Sequence, residues 1–95
     1  MIILGIDPGT AIVGYAVLRT TAQGTPELLA SGAIRPRTLE KEGRLVEIRK
    51  QVVSLIDIHR PDTFALEKIF FSKNIKTALS VAEARGVLLL TAKER

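Results

Sequence analysis

The sequence predicts an α/β fold built on a mixed sheet, with elements in the order β-β-β-α-β-α. Three observations carry this. Apolar, β-branched runs occupy residues 1–8, 11–19 and 27–35. The apolar period then lengthens to three- and four-residue steps over 39–59, and a short apolar run at 62–67 is followed by a second helical stretch over 74–93. A helix between two strands is a crossover, and crossovers join parallel strands.

Residues 1–8 are rich in Ile and Leu, as in a strand buried on both sides, and Pro8-Gly9 breaks the run. Residues 11–19 form the second strand. The link is short, so the two pair as an antiparallel hairpin. Gly14 departs from strand propensity and points to a bulge or a close backbone approach. Residues 21–26 read as a turn, and the third strand, 27–35, stops at Pro36.

Leu45, Ile48, Val52, Leu55 and Ile56 form one apolar stripe of the first helix. Thr38 is its candidate N-cap, Gly43 weakens its first turns, and Arg60-Pro61 ends it. Residues 62–67 are the fourth strand. The second helix, with Asn74 as candidate cap, is apolar on more than one face, as expected of a helix with two partners.

The chain has 95 residues, enough for a single small domain. It contains no cysteine, which excludes disulfides and thiolate zinc sites. No apolar run is long enough for a helical membrane span, and no basic segment precedes the first apolar run. These features lead us to expect a cytoplasmic protein. Its net charge of +4 is compatible with a polyanion partner and equally with none.

Two carboxylates stand at strand ends. Asp7 closes the first strand and Glu67 the fourth. Side by side in a parallel pair, they would converge at the carboxyl edge, where open α/β sheets carry their sites. Converging carboxylates repel unless a cation lies between them or one is protonated. Oxygen ligands suit Mg²⁺ or Mn²⁺, and two such ions about 4 Å apart can drive phosphodiester cleavage. Each acid also has a plainer reading. Asp7 fits an Asp-Pro-Gly turn, and Glu67 could pair with Lys68 or Arg60.

Phe70 and Phe71 follow Glu67, and Lys73, Asn74 and Lys76 follow them. An exposed aromatic beside basic residues can stack on or wedge between bases while the lysines meet phosphates. A core aromatic and a solvated lysine face are the plainer alternatives.

These residues together resemble the N-terminal part of RuvC-type Holliday-junction resolvases. The matching pieces are Ile3-Leu4-Gly5-Ile6-Asp7-Pro8-Gly9-Thr10, Gly14-Tyr15, Ser31-Gly32, Arg60-Pro61-Asp62 through Ala65-Leu66-Glu67, Ile69-Phe70, Lys73-Asn74, Ala78-Leu79 and Ala84-Arg85-Gly86-Val87. They are colinear and span almost the whole chain. The resemblance implies a ribonuclease H-like fold and a homodimeric, Mg²⁺-dependent endonuclease that cuts four-way DNA junctions alongside a branch-migration helicase assembly. It implies that Asp7 and Glu67 bind metal and that Phe70 enters the junction. It also implies two further catalytic acids after Arg95, so that residues 1–95 alone would be poorly active.

Two other classes share features with this chain. One is a non-catalytic module that binds branched DNA. The other is an actin, Hsp70 or sugar-kinase type ATPase, whose first strand also carries a Gly-x-Asp-x-Gly-Thr pattern; Gly5 to Thr10 fits it, but Glu67-x-x-Phe70 followed by Lys73-Asn74 has no role there.

Overall fold

The computed structural model describes residues 1–9, 11–67 and 75–95, the side chains of residues 75–77 excepted. The expected order of elements is present: β1 (Ile2–Pro8), β2 (Val13–Arg19), β3 (Glu27–Ile34), α1 (Lys41–His59), β4 (Thr63–Leu66) and α2 (Ile75–Glu94).

The strands form one sheet in the order β3-β2-β1-β4. β1 is antiparallel to β2, and β2 to β3, while β4 lies parallel to β1. The α1 crossover requires that parallel placement. Asp62 ties the β4 entrance to the start of β1. Its carboxylate accepts from the Ile2 N–H at 2.8 Å and its own N–H donates to the Ile2 carbonyl at 2.7 Å.

Alternation along the strands sends Leu4, Ile6, Val13, Val17 and Ile34 to one face. There they meet Ile48 and Val52 of α1 and Ala84 and Leu88 of α2. Burial of each large side chain in this layer is worth about 1.5–3 kcal/mol. Thr91, fully buried in α2, satisfies its hydroxyl on the Val87 carbonyl at 2.7 Å. The second apolar face expected of α2 is also present, with Leu79 and Leu90 each 57% exposed.

Three local expectations are corrected. Gly14 lies in regular register with Asp7 and Ala33, and the β-bulge falls between Val17 and Leu18, where β3 skips from Ala30 to Leu28. The close approach expected at Gly14 is not found either, since a Cβ there would lie 3.9 Å from the Asp7 Cβ, an ordinary van der Waals contact. Thr38 does not cap α1. The cap position is Glu40, without a side-chain bond, and the Thr38 hydroxyl donates to Glu47 instead. Gly43 lets this entry segment cross the first helical turn, because a Cβ would come within 2.6 Å of Thr38 Cγ2. Finally, β4 ends at Leu66, one residue before Glu67. The candidate cap Asn74 lies outside the described residues.

α1 ends as expected at Arg60, in the left-handed region at φ 48, ψ 59, with its N–H on the Ile56 carbonyl and Pro61 following.

Candidate nuclease site

The site begins with register. Ile6 pairs with Leu66 across the parallel β1–β4 ladder, so Asp7 and Glu67 are the next residues on adjacent strands. Strands lie about 4.8 Å apart, which brings side chains at neighbouring positions within bonding reach. Both acids are exposed. Their carboxyls come within hydrogen-bonding reach of each other. That contact, then the charge of Asp7, then desolvation hold the Glu67 carboxyl above the ordinary glutamate range.

Backbone contacts fix both acids. The Glu67 N–H donates to the Ile6 carbonyl at 3.2 Å, extending the ladder one step past β4. Arg85, on α2, donates from Nε to the Glu67 carbonyl at 3.3 Å. On the Asp7 side, the Gly9 N–H donates to the Ile12 carbonyl at 3.0 Å and closes the turn after Pro8. Gly9 is required there, since a Cβ would stand 2.4 Å from that same oxygen.

Beside the acids, the sheet face opposite the helices carries small residues. Gly5, Gly14, Ala16, Ser31 and Ala65 line an open groove of about 770 Å³, with Asp7 and Glu67 along it. The floor is mostly apolar and shallow, so the carboxyls are its chief chemical feature.

Two carboxyls this close offer hard oxygen donors to a cation, which would relieve their mutual repulsion. The donor chemistry therefore fits Mg²⁺ or Mn²⁺. Among the described residues no third His, Cys, Asp or Glu joins the pair. Phe70, Lys73 and Asn74 lie outside the described residues. Lys76 lies in the first turn of α2, and its side chain is outside the description. Arg85 is a contributor that residue patterns alone did not single out; its only signal was its place in the Ala84-Arg85-Gly86-Val87 match.

A family model for the crossover junction endodeoxyribonuclease RuvC matches residues 3–95. The chain belongs to the RuvC family. Among curated RuvC proteins, that of Halothermothrix orenii is 46% identical over 96 residues, covering 99% of this chain and 57% of its own length. The RuvC of Moorella thermoacetica is 47% identical over 92 residues, covering 97% and 55%. A solved structure of Thermus thermophilus RuvC in complex with a Holliday junction substrate superposes with a TM-score of 0.89 at 27% identity, covering 99% of this chain and 60% of that one. This chain thus spans somewhat over half the length of the RuvC proteins it matches. Its sheet and helices have the ribonuclease H-like fold of RuvC. The family match leaves no place for the ATPase reading of Gly5 to Thr10.

A Ppx/GppA phosphatase of Aquifex aeolicus also superposes, with a TM-score of 0.63 at 16% identity, a likeness of fold alone.

Proposed function

We propose that the protein is a structure-selective endonuclease that resolves four-way DNA junctions by metal-dependent phosphodiester hydrolysis, in recombination and repair. The observation that carries this reading is the carboxyl pair of Asp7 and Glu67 at the end of two parallel strands, in a RuvC-family chain. In this reading Asp7 and Glu67 are catalytic metal ligands for Mg²⁺, with Mn²⁺ as a substitute. Bound metal supplies Lewis-acid stabilisation and a nucleophilic water near neutral pH. The chain's own contribution is placement: the β1–β4 ladder sets the spacing, and Arg85 holds the Glu67 backbone.

Phe70, Lys73, Asn74 and Lys76 are assigned to the DNA, Phe70 against unpaired bases and the others at phosphates. The exposed apolar face of α2 is assigned to a homodimer, in which two sites would cut opposing strands. The activity belongs in the cytoplasm, beside a branch-migration helicase assembly. Residues 1–95 form one ribonuclease H-like domain unit, and two carboxylates are a sparse ligand set for two ions. Residues 1–95 alone are accordingly expected to bind junctions and to cleave them poorly.

The test compares a four-way junction with linear duplex of the same sequence, with and without Mg²⁺, for the chain and for Asp7→Asn. Junction-selective binding that survives Asp7→Asn, with any Mg²⁺-dependent cleavage abolished, supports the reading. Equal affinity for junction and duplex would remove it. Wild-type-like cleavage by Asp7→Asn would remove the role of the acid.

A further inference from the structure

The sheet holds Glu67 by only half of its main chain, and the reason is a proline on the neighbouring strand. Ile6 stands beside Leu66 in the parallel β1–β4 ladder, which places Asp7 beside Glu67. The Glu67 N–H donates to the Ile6 carbonyl at 3.2 Å. In a parallel ladder, a residue that donates to the position before its neighbour accepts from the position after it. That position is Pro8, which has no N–H. The ladder therefore stops there, and β4 ends at Leu66. Among the described strands β4 borders β1 alone, so no other strand serves the Glu67 carbonyl.

Arg85 supplies the donor that Pro8 lacks. Its Nε donates to the Glu67 carbonyl at 3.3 Å. Ala84 and Leu88, to either side of Arg85 along α2, are buried in the core, so the backbone that carries Arg85 is seated against the sheet. The two peptides that flank the Glu67 Cα are thus gripped from two directions, one by β1 and one by α2. That fixes the direction in which the side chain leaves the chain.

The grip acts through the main chain. Leu66 packs against the core, so alternation turns the Glu67 side chain to the opposite face of the sheet, away from α2. There its carboxyl answers to the Asp7 contact and charge and to desolvation.

We propose that Arg85 is a positioning residue for the carboxyl site: its Nε–H takes over the ladder bond that Pro8 cannot make and so aims Glu67 at Asp7. The role belongs to the donor atom and not to the positive charge. It rests on the metal reading above and adds what holds one ligand in place, and by which atom.

The test uses variants that separate donor from charge. The Gln amide nitrogen stands the same number of bonds from Cα as the arginine Nε, so Arg85→Gln keeps a donor and drops the charge. Arg85→Met fills the same reach with a methyl group and drops both. Arg85→Lys keeps the charge but has a methylene where Nε stood. Two quantities are read: Mn²⁺ affinity by electron paramagnetic resonance, and amide exchange at Glu67 against the amides of the β1–β2 ladder.

Arg85→Met is expected to weaken Mn²⁺ binding roughly tenfold or more, the usual effect of removing a partner that orients a ligand. It should also speed exchange at Glu67 while the β1–β2 amides keep their protection. Arg85→Gln should stay near the parent in both, with Arg85→Lys nearer to Arg85→Met. Pro8→Ala, which restores a main-chain N–H, should shrink the loss caused by Arg85→Met. An Arg85→Met chain equal to the parent would overturn the proposal. So would Arg85→Gln losing as much as Arg85→Met while Arg85→Lys is spared, because charge would then carry the effect. Faster exchange across the whole sheet would reduce Arg85 to a stability residue and overturn it too. An Arg85→Met loss of the same size with Pro8 and with Pro8→Ala would overturn the replacement of the ladder bond. Mn²⁺ affinity untouched by Asp7→Asn would instead remove the metal reading, and exchange at Glu67 would then decide by itself whether Arg85 holds this peptide.

Discussion

Asp7 and Glu67 bring their carboxyls within hydrogen-bonding reach of each other across the parallel β1–β4 pair, and Asp7 holds the Glu67 carboxyl above the ordinary glutamate range. Two carboxylates that close repel unless a proton or a cation lies between them. Asp7→Asn removes the neighbouring charge. The Glu67 titration, followed by carboxyl-carbon NMR, should move down toward the usual glutamate range. A Glu67 titration unchanged by the substitution would mean that the shift has another source.

The same shift sets a pH dependence. Glu67 binds its proton more tightly folded than unfolded, so its contribution is fully present below the unfolded value of 4.5. It is lost as pH rises through the raised folded value. Thermal melts should therefore show a stability loss above pH 4.5 that Asp7→Asn reduces. Millimolar Mg²⁺ should restore stability at neutral pH by taking the proton's place, and EDTA should reverse it. Identical Mg²⁺ responses in the parent and Asp7→Asn would place the ion elsewhere.

Glu47 carries the opposite sign. Hydrogen bonds from the Thr38 hydroxyl and the Arg37 N–H hold its carboxyl below the ordinary range. Its contribution is present above 4.5 and disappears as pH falls through the lowered folded value. Glu47→Gln should flatten the acid limb of the stability curve and speed amide exchange at Arg37 and Thr38. Unaltered exchange at those two amides would show that these bonds do not hold the segment entering α1.

Leu88 is fully buried between α2 and the sheet. Leu88→Ala should cost about 2–5 kcal/mol, which in a domain of this size lowers Tm by roughly 10 °C or more. A shift of only a degree or two would mean that α2 does not close the core.

Gly9 stands at the turn that follows Asp7. A Cβ there meets the Ile12 carbonyl oxygen at 2.4 Å, and that oxygen is backbone with nowhere to rotate. Gly9→Ala should cost on the order of 1–3 kcal/mol, the range for local backbone strain, and should also disturb the Glu67 titration by moving Asp7. An unstrained, equally stable Gly9→Ala would show that the turn accommodates a side chain freely.

Much of the fold was legible because its signals are local. The Ile-Leu run of β1, the three- and four-residue steps of α1 and the breakers Pro8-Gly9 and Arg60-Pro61 each act within a few residues. The misread features depended on distant partners. Thr38 has the chemistry of a cap, yet a carboxylate nine residues on, Glu47, outcompetes the helix start for its hydroxyl. The bulge at Val17/Leu18 depends on how β3 is threaded, which no property of β2 alone reveals.

The sequence by itself determined the element order, the crossover that makes β1 and β4 parallel, the two strand-end acids and, through colinear motifs, the family. Only the tertiary structure decided that Asp7 and Glu67 meet, because their separation of sixty positions is closed by the Ile6–Leu66 register. It alone brought Arg85 to the Glu67 carbonyl and set Arg35 and Arg37 against Lys50 of α1. Local propensity is written in neighbouring residues. A site is made of distances, and those follow from how the sheet is paired and how the helices pack on it.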